Sequence, residues 1–257
     1  MRFLGLGMND QIPDQNTIRN FREALIVNGL LDTLFTAFNS RLEKAGMYTK
    51  KGSMVDAIFV TAPRQRNSRE ENEQLKEGDL PEDWSLNKMR HKDTDADWTK
   101  KNNQLYFGYK NHVKVDIGSK LITGFQTSSV SVHDSEILPD LLNEDDCGKP
   151  LYADSAYRSD KQEAALKELG IKSEIHERAY RNTPLSQEQK LQNREKSKVR
   201  ARVEHVFAWM HRQGHELKVM AIGIDRATAK ITLMNMVYNM TRAIHIIQSG
   251  MRSVSIL

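Results

Sequence analysis

The stretch SMVDAIFVTAP, residues 53–63, limits the fold of this chain more than any other. Met54, Val55, Ala57, Ile58, Phe59 and Val60 form a near-continuous apolar run that stops at Pro63. A strand with one wet face alternates apolar and polar residues, whereas an unbroken run reads as a strand covered on both faces. Covering both faces takes helices, so the run commits the chain to a layered α/β architecture. Asp56 stands in the middle of it. Burying an ionised carboxylate without a partner is costly, so Asp56 is either bonded to backbone amides or functional.

The remaining patterns supply the layers. Asp14, Asn16 and Thr17 are candidate caps for a helix with Ile18, Phe21 and Leu25 on one face. Leu31, Leu34, Phe35, Phe38 and Leu42 repeat the pattern beyond Gly29, which predicts a small N-terminal helical segment over residues 1–48. Residues 64–104 are polar and without clear period, and read as a functional or mobile insertion after the first strand. QLYFGYKNHVKVDI places Phe107, Tyr109, Val113, Val115 and Ile117 on one face and Lys110, His112 and Lys114 on the other; GSK then turns the chain into LITGFQTSSV, a hairpin. VHDSEILPDLL predicts a short helix capped by Asp134. PLYADSAY and IKSEIHE predict strands, with SDKQEAALKELG as a helix closed by Gly170. Long helices are predicted over 186–213 and 226–247. The sum is a mixed sheet flanked by helices, with one main domain over 49–250.

Two more acids share the setting of Asp56. Asp154 follows PLYA at the carboxyl end of a strand, where ligands gather in open α/β sheets; it is equally placed to cap the next turn. Glu204 lies within RARVEHVFAWMHR, at the border of a helical stripe made by Val199, Val203, Val206, Phe207 and Met210. Arg200, one turn before it, predicts an i, i+4 salt bridge, which stabilises a helix by only ~0.3–0.5 kcal/mol. Taken together, three carboxylates suit hard cations such as Mg²⁺, which take oxygen ligands. A two-metal site clamps the attacking and leaving oxygens of a phosphoryl displacement.

Charge points the same way. The net charge is +4, and from residue 178 to 212 nine Lys and Arg face three acids. Such a run fits an anionic partner or a solvated face. Cys147 is the single cysteine, which excludes an internal disulfide and a cysteine-based zinc site and fits a reducing cytoplasm. ITLMNMVYNMTRAIHII is broken by Asn235, Asn239 and Arg242, and reads as a buried helix, not a membrane span. DTDADW opens like a calcium loop, but Trp98 stands where Gly is needed and Gln104 where Glu is needed.

Five stretches, IPDQNTIRNFREAL, KKGSMVDAIFVTAP, DTDADWTKKNNQLYFGYKNHVKVD, YADSAYRS and SKVRARVEHVFAWMHR, resemble a bacterial insertion-sequence transposase of the DDE class, most nearly the insertion sequence five family. The resemblance runs from about residue 3 to 247. It implies an RNase H-like catalytic domain and names Asp56, Asp154 and Glu204 as the metal-binding triad for two Mg²⁺ ions, with Mn²⁺ as a substitute. It implies double-stranded DNA as partner, both transposon ends and target, a homo-oligomer on DNA, and a cytoplasmic, nucleoid-associated protein. Arg200 matches an arginine of the family's motif; Ser197 and His211 stand where related proteins have tyrosine and lysine, and Tyr157 matches another family position. Lys196, Lys198, Arg200, Arg202, His211 and Arg212 are the expected phosphate contacts. Family members carry a further helical segment ahead of IPD, so an N-terminally shortened copy is expected here. Three readings stay open: a transposase, a non-catalytic DNA-binding product of a truncated element, and a hydrolytic nuclease or resolvase of the same fold.

Overall fold

The apolar run forms β1 (Ser53–Thr61), and its neighbours set the topology. It pairs antiparallel with β3 (Gln104–Asp116) along its whole length, from Ser53↔Asp116 to Thr61↔Gly108. Its start pairs parallel with β5 (Pro150–Tyr152). Beyond β5 lies the two-residue β6 (Lys172–Ser173), also parallel, and β4 (Ile122–Ser129) runs antiparallel along the other edge of β3. The order β4-β3-β1-β5-β6, with β3 opposed to the rest, is the RNase H-like arrangement. This computed structural model describes residues 5, 7 and 10–250, apart from 102, 181, 182 and 214–216.

Both faces of β1 are covered, as its sequence requires. Met54, Val113 and Val115 pack against Val203, Val206, Phe207 and Met210 on one side, together with Met236 and Tyr238 of a long helix, α9 (Ile224–Gln248). Val55 packs on the other side with Ile137, Leu138 and Leu141 of a short helix, α5 (Asp134–Leu141), and with Leu166 of α6 (Asp160–Glu168). On that second face Lys110, His112 and Lys114 are buried. Each cation has a partner: Lys114 Nζ lies 2.8 Å from Asp146, and Lys110 Nζ lies 2.7 Å from Asp134. This corrects the expectation for Asp134. His133 is the cap of α5, while the Asp134 carboxylate is spent on Lys110.

Two helices precede the sheet, α1 (Gln15–Val27), capped by Asp14, and α2 (Leu30–Lys44). Gly29 separates them with φ +61°, a left-handed conformation that costs glycine little. Both helices pack on α9: Leu25 and Leu31 meet Ala229, and Leu42 meets Ala243 and Ile246. Phe35 reaches the core of the sheet itself. The asparagines that interrupt the apolar α9 are buried and bonded, Asn235 to Asn111 at 2.9 Å and Asn239 to Asn39 at 3.0 Å.

The insertion differs from its sequence-based reading. Residues 64–104 contain α3 (Arg69–Glu77), α4 (Leu86–Arg90) and β2 (Asp97–Lys101), the last paired with the start of β3. Trp84 is buried and donates to Glu71 at 2.7 Å, and Lys88 binds the same carboxylate. The sequence hid α3 because the helix buries none of its residues and so carries no apolar period. A second correction concerns the basic segment. The expected helix over 186–213 is two helices, α7 (Gln187–Arg200) and α8 (Glu204–Gln213), joined by a 3-10 turn over Ala201–Val203.

Candidate active site

Strand register brings the first two acids together. Met54 of β1 is paired in parallel with Tyr152 of β5. Two residues further along each chain stand Asp56 and Asp154, on the same face because strand side chains alternate. Asp154 lies just past the end of β5, where it caps the 3-10 turn Ser155–Tyr157 by accepting from the Ala156 N–H at 2.8 Å. The capping role and a place at the site are therefore compatible: Oδ1 serves the turn, and no protein hydrogen bond engages Oδ2 among the described residues.

Glu204 arrives from the layer above. It opens α8, exposed, between the buried Val203 and Val206 that seat the helix on the sheet. The charges of Asp154 and Glu204 both reach Asp56. Burial is the largest influence on the Asp56 carboxyl and pushes it up; Arg200 opposes, the two acids add to the rise, and the result is about 6.

Arg200 is where the structure departs most from the sequence. The 3-10 turn after α7 breaks the helical spacing that paired Arg200 with Glu204. Arg200 reaches down instead and sets Nη1 2.7 Å from Oδ2 of Asp56, both side chains largely covered at 24% and 14% exposure. Its Nε is buried without a hydrogen-bond partner. Among the described residues, no ion pair engages Glu204, and no group of three His, Cys, Asp or Glu side chains is placed to hold one metal ion. The donor chemistry of Asp56, Asp154 and Glu204 fits a hard divalent cation. Their placing does not: they form no such group, and Arg200 engages Oδ2 of Asp56.

The other expected contacts scatter. Lys196 donates to the Ile175 carbonyl, Lys198 pairs with Glu195, Arg202 donates to the Ile117 carbonyl, and His211 and Arg212 are exposed on α8. Of these six cations Arg200 alone touches a candidate acid among the described residues. Tyr157 is fully buried beneath the site with an unpartnered hydroxyl; burial, then the charge of Asp134, raises its pKa. His176 was not singled out from the sequence. Its N–H donates to the Ala153 carbonyl at 3.1 Å, its Nε2 lies 3.3 Å from the Ser197 hydroxyl, and burial and Arg200 lower its pKa. IKSEIHE held the signal, since the strand after Asp154 ends at the same edge of the sheet. A cavity of about 430 Å³ lined by Glu43, Lys50, Lys114 and Asp146 contains none of the candidate site residues.

Opposite pH dependences meet here. Burial pushes the His112 imidazole down to about 4. Between pH 4 and the ordinary value near 6.5 the unfolded chain binds a proton that the folded chain refuses, so this term is stabilising at neutral pH and is lost as pH falls. Asp56 acts in the other direction, because its raised carboxyl lets the folded chain bind the proton first, so its term fades as pH rises through about 6. Replacing His112 separates the two. Relative to the parent, His112→Leu should gain about 3 kcal/mol between pH 7 and pH 4 in urea unfolding. A difference that does not change with pH would show that His112 titrates normally in the fold.

Solved structures similar to this chain include a piggyBac transposase synaptic complex with hairpin DNA (10% identity, 80% of this chain and 49% of that one, TM-score 0.41). They also include a Mos1 strand transfer complex (12% identity, 99% and 69%, TM-score 0.31) and a Mos1 paired-end complex with left transposon end (12% identity, 99% and 69%, TM-score 0.33). The chain thus spans about half the length of the piggyBac chain. Residues 48–240 match the family model described as a transposase DDE domain, a span that holds Asp56, Asp154 and Glu204. The chain belongs to the transposase DDE domain family.

Proposed function

We propose that this chain is a DNA transposase that binds transposon-end DNA, cuts it by hydrolysis and joins the freed 3′-hydroxyl to target DNA. The observation that carries the reading is Asp56 and Asp154 level on one sheet face, with the charge of Glu204 reaching the same carboxylate. Two Mg²⁺ ions held by these three acids would stabilise charge on the attacking and leaving oxygens of the phosphodiester. The protein's own contribution is position. The cap at Ala156 fixes Asp154, the sheet fixes Asp56, Val203 and Val206 seat Glu204, and Tyr157 fills the space beneath. Arg200, Arg202, Lys196, Lys198, His211 and Arg212 are the candidates for phosphate contacts in this reading, and those now bonded within the chain would have to exchange those partners for DNA. Water is the nucleophile for cleavage and the 3′-hydroxyl for joining, so no covalent enzyme intermediate is needed. The segment 1–48 is part of the DNA-binding region in this reading, and the protein acts as a homo-oligomer on DNA.

A second reading, DNA binding without cleavage, draws on the Arg200–Asp56 pair and on the absence, among the described residues, of three acids placed to hold an ion. A gel shift and a nicking assay on a plasmid carrying the DNA that flanks the gene separate the two. The first reading expects Mg²⁺-dependent nicks; binding with no nick at any Mg²⁺ or Mn²⁺ concentration would favour the second. In both, log affinity should fall linearly with log salt, by about 0.9 for each phosphate neutralised. An affinity that ignores salt would remove DNA as the partner.

A further inference from the structure

The acids of the site suit a cation by their chemistry, and the structure already has one beside Asp56. Arg200 places Nη1 2.7 Å from Oδ2 of Asp56, deep enough that water screens the pair weakly. Its other edge is poorly used, because Nε is buried and unpartnered. A guanidinium engages oxygen anions best through two parallel N–H groups, so a single contact plus an orphaned Nε describes an arginine that could be better satisfied elsewhere. Its tether permits movement: Arg200 is the last residue of α7, next to the 3-10 turn that separates it from α8. Among the described residues, no three acids or histidines are placed to hold an ion.

We infer that Arg200 is an intramolecular stand-in for the divalent ion, and that it must leave Asp56 before a metal can be held there. This rests on the proposed metal site at Asp56. The exchange is ordered by charge. In the free protein Arg200 neutralises a carboxylate that lies in the field of two others. A divalent ion held at that oxygen would repel the guanidinium, and Arg200 would then have both edges free for an anionic oxygen of the substrate. Metal binding and the readiness of Arg200 to grip phosphate are thus one event.

The test is Mn²⁺ binding to the full chain without DNA, followed by electron paramagnetic resonance, with the melting temperature in EDTA recorded alongside. Arg200→Met should bind Mn²⁺ about tenfold tighter than the parent and melt lower without metal. The gain should persist in roughly 0.5 M NaCl, where charges not in contact are largely screened. Arg200→Gln, which keeps an amide donor, is the second variant if the first folds poorly, and should fall between. Equal or weaker Mn²⁺ binding by the variants would overturn the stand-in, as would a gain that vanishes in high salt, which indicates distant repulsion only. If Asp56→Asn binds Mn²⁺ as the parent does, the metal site itself is misplaced and the inference goes with it.

Discussion

Asp56→Asn should retain the fold and DNA binding while strand cleavage falls by about a thousandfold or more. Asparagine is close to isosteric. It keeps the oxygen that accepts from the Ala57 N–H at 2.9 Å and removes a charge that burial disfavours, but it also takes the anionic partner from the covered Arg200, so the variant should fold yet melt somewhat below the parent. What it loses is the anionic oxygen. A metal ion contributes several kcal/mol of charge stabilisation to phosphoryl transfer, and about 4 kcal/mol corresponds to a thousandfold in rate. Single-turnover cleavage of an end-labelled duplex, with a gel shift on the same DNA, reads both quantities. Normal cutting by this variant would remove Asp56 from the reaction, and with it the triad.

The second large effect lies on the opposite face of the sheet. Lys114 and Asp146 form an ion pair at 2.8 Å with 3% and 8% exposure, and Asp146 also accepts from the Ser53 hydroxyl and the Asn143 N–H. Removing one member of a buried pair leaves the other uncompensated, at about 3–5 kcal/mol. Lys114→Met should therefore lower the melting temperature by roughly 10 °C in a chain of this size. Replacing both partners with apolar residues removes the stranded charge, so Lys114→Met with Asp146→Leu should recover most of the loss. Equal melting of the single and double variants would show that water reaches Asp146. Asp146 ties the turn before β5 to β3 through Lys114 and to the start of β1 through the Ser53 hydroxyl, and β1 and β5 carry Asp56 and lead to Asp154, so the same strands that hold the candidate site depend on it.

Much of the architecture was legible in residue order. The apolar run of β1 and the stripe of Val203, Val206, Phe207 and Met210 encode which of their faces are covered, whereas the alternation along β3 gave its apolar face but not the burial of Lys110, His112 and Lys114 on the other, which ion pairs and the helices above them make possible. Asp56 was legible as a candidate because an acid in an apolar strand is out of place; Asp154, equally placed as a cap, and Glu204, expected to pair with Arg200, became candidates only in combination with it and through the family resemblance. The short helices of the insertion were not legible, because a surface helix with no buried residue has no apolar period to read. His176 was missed for another reason: the strand before it is only two residues long, and its one signal was its place at the end of IKSEIHE, by the sheet edge it shares with Asp154.

The sequence by itself determined which strand must be buried, that helices must cover it, and which acids needed an explanation. Those are local matters of hydrophobic pattern and desolvation, decided within a few residues of each position. The tertiary structure alone decided who pairs with whom. Arg200 could serve Glu204, four residues away, or Asp56, 144 residues away, and helical spacing favoured the neighbour. One 3-10 turn and the packing of α7 against β1 reversed that choice, because an ion pair depends on distance through space and on burial, neither of which is a property of position along the chain.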